Sequence, residues 1–257
     1  PLERAWERLA RARRIAVKFN QDKATQRVVM FAGQRQQLVS DSVVRATLRL
    51  LRERTTAQIV CIDTSFYVMY NNETLANTTQ IAPLLREFHV PYCNGTQPPY
   101  QVSSPPGGGA MFNSYVMMED AVTADEVVSV ATIKNHAFMG VTGCLKNLFG
   151  LMPGKPPARP RFYYHHLVRM PYMLADIGRI LNPALNIVDA LVGQAGMEWG
   201  DGEGLVRVVD ALIAGDHVIA TDAVMTHLMG LDPQADWGTE PFHRDRNPLL
   251  AAAEGGF

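Results

Sequence analysis

The stretch from Lys134 to Gly154, KNHAFMGVTGCLKNLFGLMPG, concentrates two lysines, a histidine, two asparagines and four glycines within an apolar stripe. Gly140 and Gly143 let backbone approach a ligand closely. The turn Val141-Thr142-Gly143 at the head of a short helix offers amide N–H groups to a phosphate or carboxylate. Lys146 stands among Leu145, Leu148 and Phe149; a partly desolvated amine there serves as a nucleophile or anion partner, unless the side chain snorkels to solvent. His165-His166 follows a loop rich in proline and arginine. In extended chain such neighbours point to opposite sides, so one of the two is a candidate metal ligand or acid/base. Familiar alternatives are missing: Gly154-Lys155 lacks the earlier glycine of a phosphate loop, and no G-x-G-x-x-G, H-E-x-x-H or G-x-S-x-G occurs.

These residues need elements to hold them. Ile15 to Asn20, Gln58 to Asp63, Glu126 to Ile133, Leu185 to Asp189 and Val206 to Ala214 read as strands. Helical runs begin at the Ser40-Asp41 cap, at Thr78 or Thr79, at Pro171 and at Asp216, the last ending by Gly230. Alternation of this kind predicts an α/β fold: a mostly parallel sheet covered by helices on both faces, in a single large domain over residues 1–257. A Gly/Pro-rich excursion at 94–109, expected to be a mobile lid at the cleft mouth, and a Gly-rich loop at 193–204 interrupt the pattern. In open α/β sheets ligands bind beyond the carboxyl ends of the strands. That rule gathers Lys18 and Asn20, Asp63, Lys134 with Asn135 and His136, and Asp189. With Asn147 of the glycine-punctuated segment, Lys18, Asn20, Asp63, Lys134 and Asp189 are the expected ligand-binding set.

Composition bounds the function. The 257 residues are 47% hydrophobic and 19% charged, with 24 basic side chains against 25 acidic ones. A sizeable core follows, without the basic footprint of a nucleic-acid binder. No apolar run is long enough to span a membrane. Three cysteines, Cys61, Cys93 and Cys144, with no C-x-x-C pair, cannot complete an iron–sulfur cluster or a four-cysteine zinc site. Reduced thiols suit a cytoplasmic protein, export of a processed precursor being the alternative, since the numbering opens on Pro1.

The runs VKFN, IKNHAFMGVTGCLKNLFGLMPG, MLADIGRILNPALNIVDAL and AGDHVIATDAVMTHLMGLDP together resemble the domain of unknown function family DUF362 over nearly the whole chain. A remoter resemblance joins His136, Lys146 ten residues on and Pro153-Gly154 to the N-terminal domain of nickel-pincer lactate racemases. That likeness implies His136 as a proton-transferring base, Lys146 as the covalent anchor of a nickel-pincer-type nucleotide, and His165 or His166 as a ligand to the metal. His136 and Lys146 are therefore the candidate catalytic pair, His165 and His166 the candidate ligands of a divalent metal. The chain is expected to bind a small anionic metabolite or cofactor in a cleft at the strand ends, as an isomerase/racemase-like or redox-type enzyme. A non-catalytic carrier using the same cleft is the alternative.

Overall fold

A computed structural model describes residues 2–21, 23, 28–64, 79–154, 159–196 and 205–257. In chain order the helices are α1 (Glu3–Arg11), α2 (Asp41–Arg54), α3 (Ala82–Glu87), α4 (Glu119–Val122), α5 (Cys144–Asn147), α6 (Arg161–His166), α7 (Met170–Leu181), α8 (Val218–Leu228) and α9 (Pro248–Glu254). The strands are β1 (Arg14–Phe19), β2 (Met30–Phe31), β3 (Gln34–Arg35), β4 (Gln58–Asp63), β5 (Tyr92–Asn94), β6 (Tyr100–Ser103), β7 (Tyr115–Met118), β8 (Glu126–His136), β9 (Gly140–Thr142), β10 (Leu185–Ala195) and β11 (Leu205–Gly215). The main sheet has the order β11-β10-β8-β1-β4-β5, with β9 folded back on β8. All pairs from β10 to β5 are parallel, while β11 and β9 pair antiparallel.

Alternate residues of the central strands feed two cores. Ile15, Val17, Ile59, Cys61, Val128 and Val130 pack with α1, α2 and α3, whereas Ala16, Val60, Ile62, Ala131 and Ile133 pack with α5, α7, α8 and α9. Both faces are thus covered, as the strand-and-helix alternation predicts. Ser40 caps α2 by accepting from the Val43 amide, Pro171 sits in the first turn of α7, and Gly230, at φ +76°, follows the end of α8.

Four expectations need correction. α8 is capped by the His217 ring and not by Asp216, which pairs with Arg4 instead. The helix expected from Thr78 or Thr79 begins at Ala82; Thr78 lies outside the described residues. The 94–109 excursion contains β6, paired with β7, and is pinned from below. Asp176 of α7, fully buried, accepts the amides of Ala110, Met111 and Phe112 and the Tyr115 hydroxyl, while Arg179 donates to the carbonyls of Pro106 and Gly108. A segment so tethered is not a loose lid. Gly193–Ala195, finally, continue β10 because they pair with β11, and the rest of that expected loop at 197–204 lies outside the described residues.

Candidate functional site

Parallel pairing places the expected strand-end residues at one end of the sheet. Phe19 is level with Val130 and Cys61 with Val17, while Asp189 is level with Thr132; β8 then runs on through Lys134 to His136. The strand does not stop at Ile133 because Gly140–Thr142 returns along it, His136 pairing with Gly140. Gly140 has φ +73°, a conformation that favours glycine, and a Cβ there would meet the Phe242 ring.

This hairpin sets the state of His136. Its Nδ1 accepts from the amides of Phe138 (3.0 Å) and Met139 (3.3 Å). A nitrogen that accepts two N–H groups carries no proton, so the neutral ring holds its proton on Nε2. Burial first, and then the positive charges of Lys146, His165, Lys134 and Arg244, hold the imidazole well below its ordinary pKa. His136 is therefore a neutral, oriented N–H donor whose charge interactions with Lys146, Lys134 and Arg244 further disfavour its protonation.

Lys146 rides on α5, a helix of four residues that could not persist alone and is clamped at both ends. At its head the amides of Cys144 (2.7 Å) and Leu145 (2.8 Å) donate to the Asp222 carboxylate of α8. The anion expected at this turn is thus the protein's own. Gly143 is required here, since a Cβ would collide with that carboxylate. Burial pushes Asp222 up to about 7, the two amides opposing the rise. At the other end, Asn147 donates to the carbonyls of Lys18 (3.1 Å) and Val130 and to Ser129 Oγ, and its Oδ1 accepts from Lys18 Nζ. Lys18 also donates to Asp63 (2.9 Å) and to the Phe19 carbonyl. Gly150 lies so close that a Cβ would stand 2.7 Å from Lys18 Cε. Lys18, Asp63 and Asn147, expected to meet a ligand, are spent on one another as the mount of α5.

Asp189 is likewise occupied: it accepts the Ser40 amide at the head of α2 and the Leu191 amide. Lys134 donates to Asn20 Oδ1 (2.8 Å) and to the Gln37 carbonyl (2.7 Å). The expected binding set therefore divides into a structural group (Lys18, Asp63, Asn147, Asp189) and a buried polar cluster around Lys134 and Asn20.

His165 and His166 lie on α6, so the extended-chain expectation is corrected: on a helix, neighbours are not opposed across a strand but turned about 100° apart. The His165 ring lies parallel to that of His136, tilted 4° at 6.3 Å between centroids, and edge-on to Phe149. His166 stacks on Phe162, and Arg244 Nη2 lies 3.1 Å from its Nδ1. The Arg244 guanidinium also covers the Phe138 ring at 4.1 Å. Met139, His165, His166, Val168, Met170, Arg244 and Asp245 line a cavity of about 190 Å³. Sequence reasoning missed Arg244 and Asp222. The first had a visible signal, the dense charge run His243-Arg244-Asp245-Arg246; the second had only an aspartate on an apolar helix.

The donor set does not fit a protein-held divalent metal. Among the described residues no three His, Cys, Asp or Glu side chains converge on a point, and Nδ1 of His136 is already engaged. Nor does the set fit the nickel-pincer chemistry implied by resemblance. Lys146 and His165 do flank His136, but a proton-accepting base needs a bare nitrogen directed at its substrate, and this ring presents N–H.

The domain of unknown function DUF362 matches residues 16–227. The chain belongs to the DUF362 family. It is 30% identical over 164 residues to the thylakoid-associated protein sll1697 of Synechocystis sp., a match covering 62% of this chain and 48% of that protein. Its fold is similar to that of the lactate racemase apoprotein from Thermoanaerobacterium thermosaccharolyticum, at a TM-score of 0.52 and 14% identity, over 88% of this chain and 51% of the other. The DUF362 chain thus spans about half the length of both. No helix among its described residues is long and apolar enough to cross a membrane.

Proposed function

We propose that this DUF362 chain binds a small anionic metabolite, a carboxylate in the first instance, between His136, Lys146, His165 and Arg244, and acts on it as an isomerase-type enzyme of the cytoplasm. The observation that carries the reading is convergence: Lys146, Lys134 and Arg244 bring positive charge to one buried imidazole, beside a cavity whose wall includes His165 and Arg244. Asp245, on the same wall, is paired with Arg169, so the remaining charge at this partly desolvated cleft is positive and attracts an anion. Arg244 supplies a planar fork suited to a carboxylate, and His136 an oriented donor for a second oxygen. The racemase-like fold supports a hydroxy acid as the first ligand to try.

The test is calorimetric titration with L-lactate, D-lactate and inorganic phosphate. At least one lactate enantiomer should bind, and Arg244→Met should weaken it at least tenfold, the worth of about 2 kcal/mol for a charge-assisted contact. Polarimetry on bound lactate then separates enzyme from carrier. If none of the three anions binds, or if Arg244→Met binds them equally well, the site is not an anion site.

A further inference from the structure

β11 closes one side of the main sheet, and none of its 11 residues is buried. No strand among the described residues pairs with its outer edge. The opposite edge strand, β5, has only three residues, and a short edge is one way a protein blunts an open row of N–H and C=O groups. β11, about 36 Å long, lacks that protection. One irregularity, where Val209 and Asp210 stand against the single Leu191, bends the strand but leaves Ala211 to Gly215 in regular register with β10. The edge is also apolar: Leu205, Val208 and Leu212 are each more than half exposed. Ala211 and Ile213 pack into the core shared with α8, so Leu212 between them faces the α1 and α2 side of the sheet.

α8 lies over β10 and β11 and against α5 and α9. At about 100° per residue, Ala220, Val224 and Leu228 come round to the side of α8 opposite Asp222, whose carboxylate grips α5, and so away from the body of the protein. Val224 is more than half exposed and Leu228 nearly so. A helix that is apolar on its outer face as well as its inner one is built to be covered.

We propose that a second copy of this chain covers this flank, the two β11 strands pairing antiparallel about a two-fold axis perpendicular to the sheet. Such an axis keeps both copies of α8 on one face, so the helices meet over the seam through Val224 and Leu228, while Leu212 lines the other face. A crossing between Val208 and Val209 sets Leu205 level with the partner's Leu212 and Arg207 level with the partner's Asp210. Arg207 and Asp210 are both exposed, and neither has an ion-pair partner among the described residues. The edge therefore complements itself in both apolar contact and charge. A strand about 36 Å long with a side-chain layer of about 10 Å on either face presents roughly 700 Å² per copy, close to the ~800 Å² per partner of a stable interface.

Sedimentation velocity of the full chain, across an about hundredfold range of concentration, should show a monomer–dimer equilibrium, with the amides of β11 exchanging hydrogen more slowly in the dimer than in the monomer. Val208→Lys on the edge and Val224→Lys on α8 each set like charges against one another across the two-fold axis, so each should raise the dimer dissociation constant at least tenfold. Both positions are exposed, so the thermal midpoint of the dilute monomer should not move. A monomer at every concentration overturns the proposal, as does a dimer that both variants leave intact and in which β11 exchanges as fast as in the monomer. Protection of β11 in a species of monomer mass overturns it too, because the edge is then covered from within the chain.

Discussion

His136 feels the charge of Lys146 on α5 and Asp222 holds the head of that helix, and the fold biases their protonation in opposite directions. His136 is held well below its ordinary pKa by burial and neighbouring cations, so its contribution to stability is complete above about pH 6.5 and is lost as pH falls below that value. Asp222 is raised to about 7 by burial, so its contribution is complete below the usual carboxylate range and is lost as pH rises toward 7. Between about pH 4 and 6.5 the two slopes oppose, each worth at most about 1.4 kcal/mol per pH unit. Urea unfolding across this window should separate them. Relative to the parent chain, His136→Gln should lose stability as pH rises, and Asp222→Asn should lose it as pH falls. Parallel pH profiles for all three proteins would mean that neither group titrates as its surroundings dictate.

A four-residue helix contributes almost no stability of its own, so the precision of α5 comes from its anchors. At its head, Asp222 satisfies two amides that would otherwise be orphaned in the core. Gly143→Ala should displace that carboxylate, leaving the amides of Cys144 and Leu145 without an acceptor, at a cost of about 2 kcal/mol or more. Because Lys146 rides on this short helix, ligand affinity should fall together with the unfolding midpoint. Thermal unfolding and lactate titration of the same variant check it; a variant as stable as the parent would show that α5 is not held by Asp222.

At the scale of the molecule, the Lys18–Asp63 pair joins β1 to β4 at the centre of the sheet, both side chains at or below 5% exposure. Breaking one partner of such a pair strands the other as a buried charge. Lys18→Met should therefore cost about 3–5 kcal/mol, and Lys18→Met with Asp63→Leu clearly less, since the unpaired carboxylate is gone. Equilibrium denaturation of both variants decides. If the double variant is the less stable, the pair contributes net stability and not merely an avoided penalty.

Periodicity and caps in the chain already determined the α/β class, the strands β1, β4, β8, β10 and β11 though not their order in the sheet, Ser40 and Pro171 as helix starts, and the end of the sheet at which Asn20, Asp63, His136 and Asp189 gather. These are local or pairwise consequences of apolar spacing and parallel strands, and they need no knowledge of what lies across the fold. Family membership was equally legible, carried by long motifs. Only tertiary structure decided which polar residues are spent internally. Nothing local to Asp63, Asn147 or Asp189 reports that Lys18, Lys18 again and the head of α2 take up their hydrogen bonds, because those partners are 45, 129 and 149 residues away. The same holds for Asp222 at the head of α5 and for Arg244 beside His166, each 78 residues from its partner. Burial makes such groups find partners wherever the chain brings them, so the distribution of polar bonds is a property of the packed molecule and not of any segment.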